Sequence, residues 1–290
     1  MEAIKDVIKK IKTAVPSMSK SHKQIAKYII DNYDKAAFMT ACKLASATGV
    51  SESTVVRFAM SLGYDGYPEF QVDLRDIVMS KLTNIQRMEI TDDLVKGNVL
   101  DSVLNADAAR IKWTLETINR NDFAEAVRKI SEAHRIYIIG MRSASILAEF
   151  LAINFRYMFD NVTLLQTTSG SEVFDQLIRV GENDVLIAIS FPRYSQSTVS
   201  AVEFAKKRGA YVVAVSDGET SPIAVNADAK LYARSDINSF VDSLVAPLSI
   251  IDALIASIAS KRREELSEVF SELETIWNEF GVYNFDSDKS

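Results

Sequence analysis

Two hydrophobic rhythms run along this chain, and one gives way to the other near residue 133. In the first part apolar residues recur at helical intervals: Ile4, Val7, Ile8 and Ile11, then Ile25, Ala26, Ile29 and Ile30, with Pro16, Ser17 and Ser19 between the two groups. This spacing predicts amphipathic helices over 4–14 and 19–33. Two shorter helices are expected within 40–63 and another over 69–81, after a turn that contains Gly63, Gly66 and Pro68. Residues 82–98 lack strong periodicity and read as a linker, and helical patterns resume over 99–118 and 122–133. Beyond them the rhythm changes to short runs rich in valine and isoleucine at 135–139, 162–165, 184–189, 211–215 and 229–232, separated by helical stretches. Alternation of that kind is expected of a parallel sheet covered on both faces. The stretch 240–280 reads as one long or two consecutive helices, and 286–290 as a polar tail.

The segment 40–63, TACKLASATGVSESTVVRFAMSLG, carries the most specific pattern. Leu44 and Ala45 fall on the inner face of a first short helix, and Ala45 is small enough for a second helix to cross closely. Gly49 can adopt the left-handed conformation that ends a helix within one residue. Val50 then fills the corner, and Ser51 is a good N-cap for a helix whose Val55, Phe58 and Leu62 share one face. The opposite face carries Glu52, Ser53, Thr54 and Arg57, groups that reach phosphates and base edges when such a helix enters a major groove, and Ser51, Ser53, Thr54 and Arg57 are the candidate DNA contacts. The segment therefore predicts a helix-turn-helix that reads DNA.

Composition sharpens this picture. The chain has 290 residues, 48% hydrophobic and 25% charged, which suits a soluble protein of two domains. Its net charge of −6 has the wrong sign for a nucleic-acid binder, but residues 1–60 hold ten Lys or Arg and five Asp or Glu, a local +5 that leaves −11 on residues 61–290. The basic end is the end with the helix pair. Cys42 is the single cysteine, which excludes an intramolecular disulfide and a thiolate cluster and fits a reducing cytoplasm. Lys5, Lys9, Lys10 and Lys12 interleave with the first apolar residues, a pattern expected of neither a signal peptide nor an anchor. The apolar stretch 244–259 is interrupted by Pro247, Ser249, Asp252 and Ser257, so no membrane span is expected.

In an open parallel sheet, ligands bind beyond the C-terminal ends of strands, where helix N-termini attract anions. The loop after the first run contains Arg142, Ser143 and Ser145, and the loop after the third contains Ser190, Arg193, Ser195, Ser197 and Thr198. Clustered hydroxyls there can hold phosphate oxygens, and the two arginines can add charge-assisted bonds. Helix capping is the competing role for any one of these serines. A dinucleotide site is excluded because the first loop has Gly140 alone where three glycines are needed, and the second loop lacks the glycine-lysine pair of a phosphate-binding loop.

These motifs, GVSESTVVRFAMSLGYDGYPEF in the first part and IYIIGMRSAS, ISFPRYSQSTV and VVAVSDGETSPIAVNADAKLY in the second, make the chain resemble the RpiR family of bacterial transcriptional regulators over nearly its whole length. The resemblance implies a helix-turn-helix domain joined to a sugar isomerase (SIS) domain that senses phosphosugars, and a dimer or higher oligomer on a two-fold operator. By position it implies phosphate-binding hydroxyls at Ser143, Ser190 and Ser195. The chain departs from the SIS pattern where Arg142 replaces a usual glycine, and where Pro192, Arg193 and Tyr194 stand in place of serine, glycine and glutamate.

The expected fold class is thus α/β: an all-α helix-turn-helix domain over 1–81, a linker over 82–98, a doubly wound parallel five-stranded SIS-type sheet over 99–280, and a tail over 281–290. The expected function is a cytoplasmic regulator of sugar or amino-sugar metabolism genes. Its expected partners are double-stranded operator DNA, a phosphorylated sugar effector and a second copy or copies of the chain, as homodimer or homotetramer. No cofactor, metal site or membrane partner is expected. The competing class is a phosphosugar isomerase or lyase with a helical accessory domain, for which Glu149, Glu172 and Glu203 are the candidate bases. His22 is expected on an exposed helix side and His134 in a surface or structural role, while Trp113, Trp277 and Phe280 are assigned to core or subunit contact.

Overall fold

A computed structural model of the protein describes residues 2–79, 85–88, 98–166, 171–237 and 241–283. By its contacts the chain divides into two units, Met1–Asn105 with Asp236–Ser243, and Ala106–Ser235 with Leu244–Ser290. The linker expected over 82–98 lies outside the described residues except for 85–88 and Asn98, and so does the tail from 284 onward.

The first unit is helical: α1 (Glu2–Ala14), α2 (Lys20–Asp31), α3 (Tyr33–Ala36), α4 (Ala41–Thr48), α5 (Glu52–Ser61) and α6 (Tyr67–Met79). Its core gathers the periodic apolar positions, with Ile11, Ile25, Ile29, Leu44, Val55, Phe58, Phe70 and Leu74 fully buried. The edges of Phe58 and Tyr64 meet Phe70 at centroid distances of 5.8 and 5.3 Å. Ser19 caps α2 by accepting the His22 N–H. The helix expected to run to Tyr33 stops at Asp31, because Asn32 leaves helical geometry at φ −136° and the short α3 follows. His22 is half-buried and stacks edge-on against Phe58 at 5.7 Å, which corrects the exposed position expected for it. The segment 236–243 belongs to this unit as well. Ile237 joins its core, and Arg87, only 2% exposed, donates through Nη1 to both carboxylate oxygens of Asp242 at 2.9 and 3.0 Å.

Next in the chain come α7 (Val99–Thr117), α8 (Arg120–Glu132), β1 (Arg135–Gly140), α9 (Ala144–Phe155), β2 (Val162–Leu165), α10 (Glu172–Gln176), β3 (Asp184–Ile189), α11 (Gln196–Lys207), β4 (Tyr211–Ser216), β5 (Ala229–Tyr232), α12 (Val245–Lys261) and α13 (Arg263–Glu279). The five strands are parallel in the order β2-β1-β3-β4-β5. Alternate strand residues feed two cores. Ile136, Ile138, Val185, Ile187, Val213 and Leu231 pack with α8, α9 and α12 on one face. Tyr137, Ile139, Leu186, Ala188, Val212 and Ala214 pack with α10 and α11 on the other. This two-sided burial is why the central strands β1, β3 and β4 read as continuous apolar runs in the sequence. The C-terminal pattern resolves into two helices, α12 and α13, broken where Arg262 leaves helical geometry.

Candidate DNA-reading helix pair and effector site

In the first unit, Thr40 caps α4 by accepting the Lys43 N–H, and Gly49 closes the helix in the left-handed region at φ 68°, ψ 29°. A side chain at Gly49 would be strained there even though space is open around it. The Val50 N–H donates to the Ala45 carbonyl at 3.0 Å, drawing the chain under the turn toward α5. Ser51 caps α5: its Oγ accepts the Thr54 N–H and lies 2.7 Å from Thr54 Oγ1 and 3.0 Å from Ser53 Oγ. Arg57 reaches back to Thr54 Oγ1 at 3.4 Å. Val55, Phe58 and Ala59 are buried, so the helix turns Ser51, Ser53 and Arg57 to solvent with Thr54 half-buried between them. The four residues singled out in the sequence thus form one contiguous exposed end of α5. That end supplies a cation, hydroxyls and free backbone N–H groups, as major-groove entry requires.

In the second unit the strand order reverses direction at β1: the chain passes to β2 on one side and then to β3 on the other. Such a switch point opens a crevice between the loops that follow the two strands. Gly140 and Ile189 are paired in register, so the loops after β1 and β3 start level and side by side. Gly140 lets α9 close onto β1, since a Cβ there would lie 2.4 Å from the Ala144 carbonyl oxygen. In the first loop Ser145 donates its hydroxyl to the Arg142 carbonyl at 2.7 Å. Ser143 and Ser195 occupy the N-cap positions of α9 and α11 without making a side-chain cap bond, in contrast to Ser19, Thr40 and Ser51. Capping therefore leaves those two hydroxyls available for a ligand.

Arg142 at φ 59° and Arg193 at φ 67° are the two non-glycine residues with positive φ among the described residues, one in each loop. An L-residue in that region is strained by roughly 1–2 kcal/mol. Both guanidinium-bearing side chains are exposed.

A network that sequence reasoning missed fixes the second loop. The Tyr194 hydroxyl donates to Asp217, lying 2.9 and 3.0 Å from its two oxygens. Buried Ser216 lies 2.7 Å from the Ser190 carbonyl, 3.0 Å from Asp217 Oδ1 and 2.6 Å from the Ser221 hydroxyl. Having one proton, it donates to one of these three acceptors at a time. The only sequence trace of this network is the Ser-Asp-Gly that ends the fourth apolar run.

A cavity of about 260 Å³ opens at the end of β1 on its β2 side, lined by Gly140, Met141, Arg142, Ser145, Glu149, Leu164, Leu165 and Gln166. Of the predicted ligand-binding residues, Arg142 and Ser145 line it. Ser143, Ser190, Arg193, Ser195, Ser197 and Thr198 lie beside the β1/β3 crevice instead, with Ser190 4% exposed and Thr198 completely buried. Thr198 Oγ1 has no hydrogen-bond partner in this conformation. Glu149 lines the cavity and Glu203 is exposed on α11. His134 is exposed, with Nδ1 3.7 Å from Asp184 Oδ1.

A helix-turn-helix reader and a doubly wound sheet with hydroxyl-rich strand ends, in one chain, define a ligand-responsive DNA-binding regulator. Residues 5–81 match the helix-turn-helix domain of the rpiR family, and residues 129–257 match the SIS domain. The chain belongs to the RpiR family of HTH-type transcriptional regulators. An uncharacterised HTH-type transcriptional regulator of Caldanaerobacter subterraneus is 26% identical over 270 residues, covering 90% of this chain and 93% of its own. The HTH-type transcriptional regulator HexR of Escherichia coli is 24% identical over 271 residues, 89% of each chain. Among solved structures, the sugar isomerase domain of an RpiR transcription factor from Sphaerobacter thermophilus matches 62% of this chain and 99% of its own at a TM-score of 0.59 and 25% identity. The Vibrio vulnificus NanR protein complexed with ManNAc-6P matches 96% of this chain and 99% of its own at a TM-score of 0.59 and 22% identity, a likeness of fold.

Proposed function

We propose that this protein is a cytoplasmic repressor or activator of sugar or amino-sugar metabolism genes, with operator affinity set by a phosphosugar bound in its SIS unit. The observation that carries the reading is the pairing, in one chain, of an exposed Ser51-Ser53-Thr54-Arg57 helix end with two uncapped serines at adjacent strand ends. In this division of labour residues 1–81 read DNA and 99–280 sense the effector, with the phosphate held by Ser143, Ser190 and Ser195. Ser197 and Arg193 frame the phosphate, Arg142 and Ser145 meet the rest of the effector in the adjoining cavity, and Thr198 joins only if the first turn of α11 shifts.

Two copies would place two α5 helices on successive major grooves about 34 Å apart. Apolar residues exposed in one chain support such pairing: Ile146, Phe150 and Ile153 stripe α9, and α13 has no buried residue while exposing Val269, Phe270 and Ile276. A switch also requires that the effector bind one conformational state better than the other, by a few kcal/mol.

The test is fluorescence anisotropy on DNA upstream of the gene, at fixed salt, with and without a panel of sugar phosphates. Saturable, sequence-selective binding that one compound alters is expected, and Arg57→Ala should weaken it about tenfold or more without lowering the melting temperature. Unchanged operator affinity in that variant contradicts the assignment of α5. Glu149 in the cavity keeps an isomerase or lyase reading testable on the same panel, and turnover without selective DNA binding would establish it.

A further inference from the structure

The two arginines at the strand ends carry information about the effector beyond its phosphate. Each occupies backbone geometry that glycine would adopt without strain, and no other non-glycine residue among those described does so. The two belong to neighbouring loops at the switch point: Arg142 lies two residues beyond Gly140, and Arg193 four beyond Ile189, the register partner of Gly140. A single phosphate does not require both, because hydroxyls and the N-termini of α9 and α11 already supply donors for its oxygens. Arg142 also lines the cavity on the β2 side, where Leu164, Leu165 and Gln166 bound a space away from the second loop. Glu149 brings a carboxylate to that cavity, and its oxygens suit the hydroxyl hydrogens of a sugar.

We infer that Arg142 and Arg193 act as a two-point clamp that selects an effector with two anionic groups, a sugar phosphate bearing either a carboxylate or a second phosphate. This rests on the phosphosugar reading above. One anion sits over the serine loops with Arg193 beside it, and the other enters the cavity at Arg142. A guanidinium forms paired hydrogen bonds to either kind of anion, so the shared chemistry is a planar or tetrahedral oxyanion at each end of a short polyol.

Two matched pairs of probes separate the sources: glucose 6-phosphate against 6-phosphogluconate for the carboxylate, and fructose 6-phosphate against fructose 1,6-bisphosphate for the second phosphate. Isothermal titration of the full chain at fixed ionic strength should show the doubly anionic member of at least one pair binding about tenfold tighter or more, the low end of what a charge-assisted hydrogen bond contributes. Arg142→Gly should bring that ratio to within about threefold while the singly anionic member still binds. Its melting temperature should be no lower than that of the parent, because the backbone strain is relieved. Arg142→Asn, which tolerates the same geometry without charge, should behave alike and guards against a loop loosened by glycine. Equal affinity within each pair in the parent protein, or a preference that survives both Arg142 variants, overturns the clamp while leaving the phosphosugar reading in place. Binding of none of the four probes overturns both.

Discussion

Replacing Gly140 by alanine tests whether close packing of α9 on β1 sets the effector site. The added Cβ would lie 2.4 Å from the Ala144 carbonyl oxygen, 2.9 Å from its carbon and 3.0 Å from Ala148 Cβ. The first two are backbone atoms of the first turn of α9, so no rotamer change relieves the overlap. Restoring an ordinary contact of 3.4 Å from 2.4 Å moves that turn by about 1 Å. Overpacking of this kind costs roughly 1–3 kcal/mol. For a unit of this size the melting temperature should fall by roughly 2–12 °C. Arg142 and Ser143 travel with the helix start, so effector affinity measured by titration should fall about tenfold. The control is Gly181→Ala, where a Cβ meets nothing within 4 Å and φ is not positive. It should melt within about 0.5 kcal/mol of the parent. A Gly140→Ala protein with unchanged melting and binding would refute the argument that this contact holds the loop.

Ser51→Ala removes the α5 cap and should cost about 1 kcal/mol in urea unfolding of the helical unit, together with weaker operator binding. Tyr194→Phe removes the bond to Asp217 and should lower effector affinity severalfold by loosening the second loop, and unaltered affinity would sink the anchoring role. Tyr67 donates to the Met39 carbonyl at 2.7 Å, and burial pushes its pKa well above the usual tyrosine range. Its folded-state pKa being the higher, the stability it contributes is intact below pH about 10 and is lost as pH rises beyond that. Tyr67→Phe should therefore cost about 1 kcal/mol at neutral pH and flatten the alkaline fall of stability, while Gln71, 2.8 Å away, keeps the Met39 carbonyl bonded.

The three central strands β1, β3 and β4 were legible because each is buried on both faces, which leaves a dense apolar run with turn residues at its ends, while the edge strands β2 and β5 are shorter and less completely buried. The helix pair was legible because Ala45, Gly49 and Ser51 answer local steric demands that sequence displays directly. What escaped notice depends on contacts between distant residues or on backbone angles. Tyr194 meets Asp217 across 23 residues, and no periodicity announces such a bond. The positive φ of Arg142 and Arg193 left one trace, in that both stand where the SIS pattern has glycine, but nothing in an arginine itself announces a glycine conformation. The cavity draws Leu164, Leu165 and Gln166 from the end of β2, a strand whose following loop also carries hydroxyls, at Thr167, Thr168, Ser169 and Ser171, but offers no arginine to single it out. His22 was misjudged because a polar ring can serve as the edge partner of Phe58.

The passage of residues 236–243 into the helical unit changes what a domain means for this chain. The polypeptide crosses between the units three times, once after Asn105 and again on either side of this octapeptide. A fragment ending at residue 98 would retain every helix of the DNA reader yet lack Ile237 from its core and the carboxylate that Arg87 meets. Severing the chain near residue 90 would leave the reader still stitched to the rest by the side chains of that octapeptide. The helical unit is therefore completed only after the last strand of the sheet has emerged from the ribosome.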